Sequence, residues 1–389
     1  MKTPTLYILD DDVQYADLLA IVAENAGWKA IVETSPLMLL EKNLSEIELL
    51  VLDLNMPEMD GIEVIRTIAK QECNITLILV SGFDSRVLHS AQQLAKAHFL
   101  NVAATLTKPV PMAEFRKVLS TFENETPRHL SAKTKDTIKV EELEKAIKND
   151  ELVLHYQPQV NIKSSELSGV EALVRWQHPE KGLIFPDQFI TLAEDNNLIN
   201  ALTERVIYLA VTQNKQWCNE GLDTRISVNV SAENIIHLNL PEKLKNLTDQ
   251  YGVRSENIVL ELTESAVMGE LTTSLDVLNR LRMKGFSLSI DDFGTGYSSF
   301  SHLYQAPFTE LKIDQKFVMH MLEDTEAMVI VKICIMLGQM LGMDIVAEGV
   351  ETQEIFDELS KMGCDIAQGY LLSRPIPADD LVNWVNSRR

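Results

Sequence analysis

Ser287-Leu288-Ser289-Ile290-Asp291-Asp292-Phe293-Gly294-Thr295-Gly296-Tyr297-Ser298-Ser299-Phe300 is the stretch on which the rest of the chain turns. Phe286, Leu288 and Ile290 alternate with Ser287, Ser289 and Asp291, the period of two that marks a strand. The strand runs into two adjacent carboxylates and a loop carrying Gly294 and Gly296. Neighbouring acids repel, and a cation lets them stay charged together. Glycine lets the backbone turn sharply and approach a ligand. Taken alone, Asp-Asp reads more readily as a solvated acidic turn than as a cation site. Its weight comes from other strands of the same region that end in the same way.

Eight strand candidates follow one another from Leu152 onward: Leu152 to Gln157, Ser168 to Trp176, Arg225 to Ser231, Asn257 to Thr263, Phe286 to Asp292, Thr309 to Asp314, Met343 to Glu348, and Cys364 to Tyr370. Helical patterns such as Leu198 to Asn219, Leu271 to Lys284 and Thr325 to Leu341 separate them. Eight strands with helical crossovers predict a closed α/β barrel of the triosephosphate-isomerase type, with its chemistry at the carboxyl-terminal mouth. Alternation aims the polar residues. Ile226 and Val228 share one face and Asn229 the other; Leu311 and Ile313 oppose Lys312; Ile345 and Ala347 oppose Glu348. Glu171, Asn229, Glu261, Asp291, Asp292, Lys312, Glu348 and Gln368 therefore converge on one rim. An all-oxygen set without histidine or cysteine selects magnesium or manganese over zinc. Five carboxylates are too many for one divalent ion. Two ions bridged by Asp291 balance them, the standard arrangement for phosphodiester hydrolysis. Lys312 then orients water or stabilises the transition state, and Arg175 clamps a phosphate.

Composition sets the frame. At 389 residues and 46% apolar content the chain is long enough for two domains with sizeable cores. The net charge of -22 repels nucleic acid and anionic membranes, so neither is expected as a partner. Any phosphate substrate is held by local cations. Cys73, Cys218, Cys334 and Cys364 form no Cys-x-x-Cys pair and no disulfide framework, which fits a reducing compartment. The start, Met1-Lys2-Thr3-Pro4, has no signal-peptide plan. The apolar run Met328 to Leu337 is interrupted by Lys332 and too short to span a bilayer. A cytoplasmic location is the expectation.

Residues 1–123 alternate five short apolar strands (Leu6 to Leu9, Ala30 to Glu33, Leu49 to Leu52, Thr76 to Val80, Val102 to Leu106) with amphipathic stretches such as Val13 to Ala26 and Ser85 to Ala97. That order predicts a doubly wound parallel sheet with its ligand at the carboxyl ends of the strands. Those ends carry Asp10-Asp11-Asp12, Asp53, Ser81 and Thr107-Lys108-Pro109. Clustered aspartates suit magnesium, and a screened aspartate can attack a phosphoryl group. Residues 124–137 are polar and without periodicity, a boundary. Residues 138–389 form the barrel region, opened by an amphipathic stretch from Ile138 to Asn149.

Two resemblances follow from these motifs. Asp10-Asp11, Asp53-Leu54-Asn55-Met56-Pro57-Glu58-Met59-Asp60-Gly61, Ser81 and Lys108-Pro109 resemble the receiver domain of bacterial response regulators. The resemblance implies that Asp53 accepts a phosphoryl group from a sensor histidine kinase. It implies magnesium held by Asp10, Asp11, Asp53 and the Asn55 carbonyl, with Ser81 and Lys108 sensing the phosphate. Thr105 departs from the pattern, standing where receivers often have an aromatic switch residue.

The barrel region, from about Val140 to Val385, resembles the EAL family of cyclic di-GMP phosphodiesterases, the motif appearing as Glu171-Ala172-Leu173. Tyr156-Gln157-Pro158, Asn229, Glu261 to Glu264, Asp291 to Phe300, Lys312 to Asp314, Glu348 to Glu351 and Gln368-Gly369-Tyr370 also match. The resemblance implies a first barrel strand antiparallel to the others. It implies hydrolysis of cyclic di-GMP to linear pGpG with two Mg2+ or Mn2+ held by Glu171, Asn229, Glu261, Asp291, Asp292 and Glu348. Lys312 takes the place of the water-orienting lysine, acting with Glu171, Asp291 and Glu348. Gln157, Leu173, Arg175, Asp314, Glu351 and Gln368 take substrate-binding or supporting positions, and Glu264 anchors the loop after the fifth barrel strand. A homodimer or higher homo-oligomer is implied too. No Gly-Gly-Asp/Glu-Glu-Phe cyclase signature and no DNA-binding helix-turn-helix region occurs. The alternative reading is a receptor that binds cyclic di-GMP without cleaving it and signals through protein contacts.

Overall fold

The computed structural model describes residues 4–44, 47–71, 75–82, 85–98, 100–120, 138–263, 266, 271–294 and 305–388, with the side chains of 85, 86, 89 and 271 left aside. The chain divides into two compact units, Met1–Asp136 and Thr137–Arg389.

In the first unit, β1 (Thr5–Leu9), β2 (Lys29–Glu33), β3 (Leu49–Asp53), β4 (Thr76–Ser81) and β5 (Asn101–Thr107) form a parallel sheet ordered β2-β1-β3-β4-β5. Helices cover both faces. Leu50, Leu52, Leu77 and Leu79 pack with Val64, Ile65 and Ile68, while Ile8, Val51 and Ile78 pack with Ala16, Leu19 and Phe115. Burial on both faces explains why β3 and β4 read as unbroken apolar runs. Four of the strands extend one polar residue beyond their expected apolar run and β5 extends one at each end, because backbone pairing needs no apolar side chain. Those extra residues put Asp53 and Ser81 at the carboxyl edge.

In the second unit, helix Val140–Lys148 leads into β6 (Leu152–Asn161), β7 (Leu167–His178), β8 (Gly182–Ile184), β9 (Arg225–Asn229), β10 (Ile258–Thr263), β11 (Ser287–Phe293), β12 (Glu310–Ile313), β13 (Asp344–Ala347) and β14 (Ile366–Gln368). Neighbouring strands run β6-β14-β13-β12-β11-β10-β9-β7, and a further β6–β7 pairing closes the barrel. β6 is antiparallel to both β14 and β7, as the resemblance implied. It is also longer than the expected Leu152 to Gln157, because it forms a hairpin with β7 pairing Leu152 with Trp176 and Val160 with Leu167. The small strand β8 folds back on β7 and was not expected.

Alternation works as the pattern predicts. Ile226, Val228, Leu288, Ile290, Leu311, Ile313, Ile345 and Ala347 join one apolar cluster with helix residues such as Val211, Leu278, Val331 and Leu359. A second cluster, with Leu143, Trp176, Phe189 and Ile199, seals the flank near β6 and β8. One expectation needs correcting. The strand carrying Asp291 does not end at Asp292 but continues to Phe293, and the β11–β12 register shifts between Ile290 and Phe293. Asp292 sits in that irregularity at φ 54°, a left-handed conformation uncommon for a residue with a side chain. Among the described residues no helix is long and apolar enough to cross a membrane.

Candidate active site

Lys312 lies at the centre of the barrel mouth. The residues on either side of it, Leu311 and Ile313, face the helices, so its side chain enters the barrel and is only 1% exposed. Its ammonium is 2.7 Å from Glu348 Oε1, 2.9 Å from Glu261 Oε2, 3.3 Å from Asp291 Oδ1 and 3.5 Å from Glu171 Oε2. These acids come from β7, β10, β11 and the residue after β13, so closure of the barrel is what joins them.

Amides complete the ring. Asn229 Nδ2 donates to Glu171 Oε1 at 3.0 Å, and Gln368 Nε2 donates to Glu171 Oε2 at 2.6 Å. Gln368 also donates to Gln157 Oε1 at 3.2 Å and accepts from Gln159 Nε2 at 2.9 Å. Gln157 donates onward to Ser373 O at 3.3 Å. The network ties the antiparallel β6 to β7 and β14 at the seam. Beside Gln368, Gly369 lets the chain pass close to the Val350 backbone: a Cβ there would lie 2.2 Å from Val350 O. Gln159 was missed in the sequence, although its two-residue step from Gln157 on one strand was the available signal. Glu310, two residues before Lys312, is likewise buried, 3.7 Å from Arg225. Its face could be read from period two, but not its partner on β9.

The donor chemistry fits divalent cations. Glu261 Oε1 is buried with no hydrogen-bonding partner among the described residues. Asp291, Asp292 and Glu348 offer oxygens lying within 4.8 Å of one another. Hard oxygen donors converging on an unsatisfied carboxylate suit magnesium or manganese. Charge balance agrees. Burial pushes Glu261 well above the usual carboxylate range, against the pull of Lys312, and neighbouring Glu171 and Asp291 add to the shift. Burial likewise raises Glu348 to about 8 and, with the field of Asp291 and Asp314, Asp292 to about 6. For Lys312, burial favours the neutral amine, but Asp291, Glu171, Glu261 and Glu348 outweigh it and hold the ammonium charged. Without cations, the acids exceed the positive charge available and must hold protons.

The remaining expected residues spread around this core. Arg175 is buried, donates to Val174 O at 2.8 Å, and stacks over Phe185 at 5.1 Å, leaving Nε without a partner among the described residues. Leu173 lines a cavity of about 610 Å³ with Asn229, Thr263 and Thr203. Asp314 caps helix Gln315–His320 by accepting from Lys316 N. Glu351 is exposed and does not join the buried network. Glu264 and residues 295–300 lie outside the described residues.

The parallel sheet carries a second acidic pocket. Lys108 Nζ lies 2.7 Å from Asp53 Oδ2 and 2.7 Å from Asp10 Oδ2. Asp10, Asp11 and Asp53 offer oxygens within 4.8 Å of one another. Asn55 N donates to Asp53 Oδ1 at 3.2 Å, and Ser81 is fully buried at the end of β4. Burial raises the Asp10 carboxyl, opposed by Lys108. Burial works against the Lys108 charge, but Asp10 and Asp53 prevail and raise it. Thr105 is half-buried in β5. Tyr15 was missed: its ring lies 4.8 Å from the Lys108 ammonium.

Comparison with known proteins assigns a family to each unit. The EAL domain family matches residues 140–375, and the response regulator receiver domain matches residues 6–120. The bifunctional diguanylate cyclase/cyclic di-GMP phosphodiesterase MucR of Pseudomonas aeruginosa is 42% identical over 62% of this chain and 35% of its own length. This chain thus spans about a third of that relative. The cyclic di-GMP phosphodiesterase RocR of the same organism is 28% identical over 88% of both chains. A solved structure of the PaMucR phosphodiesterase in complex with c-di-GMP matches with TM-score 0.60 and 42% identity, over 62% of this chain and 98% of that one.

Proposed function

Because the chain belongs to the EAL domain family and carries a response regulator receiver domain, we propose that it hydrolyses cyclic di-GMP to linear pGpG. We assign the receiver to residues 1–123, a connector to 124–137 and the phosphodiesterase to 138–389, working in the cytoplasm. The observation that carries the reading is the single ammonium of Lys312 set among Glu171, Glu261, Asp291 and Glu348, beside an unsatisfied Glu261 oxygen.

Glu171, Asn229, Glu261, Asp291, Asp292 and Glu348 would hold two Mg2+ or Mn2+ ions. Bound there, such ions supply Lewis acidity at the phosphoryl oxygens and acidify water. The chain's own groups do the rest. Lys312 stays protonated and points a donor at the reacting centre, where negative charge builds in the transition state. Gln368 and Asn229 hold Glu171 in one orientation through both of its oxygens. Arg175, with a free Nε–H beside the mouth, reaches for a phosphate oxygen. Leu173 and its cavity offer an apolar wall to a base, while Asp314 and Glu351 are substrate contacts on the rim. Glu264 anchors the loop after β11. Full-length protein with cyclic di-GMP and Mg2+ or Mn2+ is expected to release pGpG, seen by chromatography. Absence of product, or turnover that survives Glu171→Ala, overturns the assignment.

The receiver supplies control. Asp53 accepts a phosphoryl group from a sensor histidine kinase, with Mg2+ on Asp10, Asp11, Asp53 and the Asn55 carbonyl, and Ser81 and Lys108 on the phosphate. Phosphorylation alters turnover in a homodimer or higher homo-oligomer. An Asp53→Asn protein whose turnover still responds to a phosphodonor refutes this.

A further inference from the structure

We propose that Tyr15 is a positioning residue for Lys108: it clamps the ammonium and the segment behind it against the acidic pocket, and so presents Lys108 to the incoming phosphoryl group. The inference rests on the phosphoacceptor reading of Asp53.

Three contacts converge on this residue, two of them through its side chain. Its ring lies 4.8 Å from the Lys108 Nζ, on the same ammonium that bridges Asp10 and Asp53. Its phenol oxygen accepts from Val110 N at 3.0 Å, two residues beyond Lys108. Its own backbone N donates to Asp12 Oδ1 at 3.1 Å, within the acidic run that begins at Asp10. Tyr15 thus joins the first turn of helix Val13–Asn25 to the segment after β5. The anchor is firm on both sides, because Tyr15 packs against the apolar cluster that includes Leu19, Val110 and Phe115.

The chemistry explains why such a clamp matters. Lys108 is 21% exposed and lies one residue beyond the end of β5, so Asp10 and Asp53 hold its ammonium without enclosing it. When Asp53 carries a phosphoryl group, the ammonium must exchange carboxylate oxygens for phosphoryl oxygens without leaving the pocket. An aromatic face attracts a cation from any direction above the ring and leaves its N–H donors available. The ring therefore holds the ammonium in place while its hydrogen-bonding partners change. Thr105 contributes no ring to β5, and the aromatic group over Lys108 comes from the helix instead.

The test uses the full chain and a small-molecule phosphodonor with Mg2+. Tyr15→Phe keeps the ring and loses the bond to Val110; phosphorylation of Asp53 is expected to slow about threefold. Tyr15→Ala loses the ring as well, and slowing of about tenfold is expected. Both effects should vanish in a Lys108→Ala background, since Tyr15 acts through that ammonium. Equal slowing with and without Lys108 marks a merely structural residue and overturns the proposal, as does no slowing at all. A second measurement needs no phosphorylation: reductive methylation of Lys108, followed by mass spectrometry, should run several-fold faster in Tyr15→Ala. An unchanged methylation rate also overturns it. A wild-type chain that takes no phosphoryl group, while Lys108 methylation responds to Tyr15→Ala, removes the phosphoacceptor reading and spares the clamp.

Discussion

Among the described residues two acidic pockets are each built around one lysine, and they differ in how that lysine is held. Lys312 extends from the middle of a strand into a closed barrel, 1% exposed, among four carboxylates. Lys108 follows the end of a strand on an open sheet, 21% exposed, between two carboxylates. An open sheet brings together only the carboxyl ends of neighbouring strands, and here it leaves the lysine partly exposed above buried acids. A closed barrel brings together side chains from strands on opposite sides of the ring and excludes water. The first arrangement leaves a lysine able to change partners. The second fixes one charge among a surplus of buried acid.

Removing each lysine is the most direct attack on this contrast. Lys312→Ala should lower turnover of cyclic di-GMP by about a thousandfold, measured with saturating Mg2+. It should also destabilise the metal-free protein by about 3–5 kcal/mol, since four acids then face one another without an ammonium. Lys108→Ala should cost less, about 1–3 kcal/mol, because only two carboxylates lose their ammonium there and Lys108 itself is partly exposed. Comparable losses in the two variants, read from chemical unfolding, erase the distinction.

The next largest effect is on pH and metal. Glu348 is raised to about 8 by burial, so the folded state binds a proton that the unfolded chain releases near 4.5. A raised carboxyl stabilises the fold fully below the unfolded value and loses that contribution as pH climbs through the folded one. Metal-free protein should therefore melt several degrees lower at about pH 8 than at about pH 5. Mg2+ or Mn2+ takes the place of the proton, so its stabilisation should be greater at the higher pH. A melting temperature that rises with pH in chelator sinks the argument.

The smallest effect tests the barrel seam. Gln159→Ala removes one donor to Gln368, which in turn orients Glu171. A loss of about fivefold in kcat/KM is expected, with the pH profile unmoved. A change of no more than measurement error would show that Gln368 needs no support from β6.

How far these features could be read beforehand depended on how local they are. The inward face of Lys312 and the outward faces of Leu311 and Ile313 follow from alternation within four residues. The acids at the ends of β1 and β3 were visible because apolar runs stop there. Gln159 carried the same signal and was passed over, because β6 was taken to end at Gln157. The irregularity at Asp292 gave no such sign. It depends on how β11 registers against β12, a strand that begins 17 residues after β11 ends.

From the linear order of residues alone came the two-part plan, the parallel sheet, the barrel and the polar faces of its strands, because each rests on periodicity within a few neighbours. The antiparallel sense of β6 came from likeness to a family, since periodicity is the same in either direction. What only the folded chain decided is partnership: that one ammonium serves Glu171, Glu261, Asp291 and Glu348 together, and that Tyr15 covers Lys108. A repeating pattern states which way a side chain points. What it meets there depends on barrel closure and strand register, which are properties of long-range pairing.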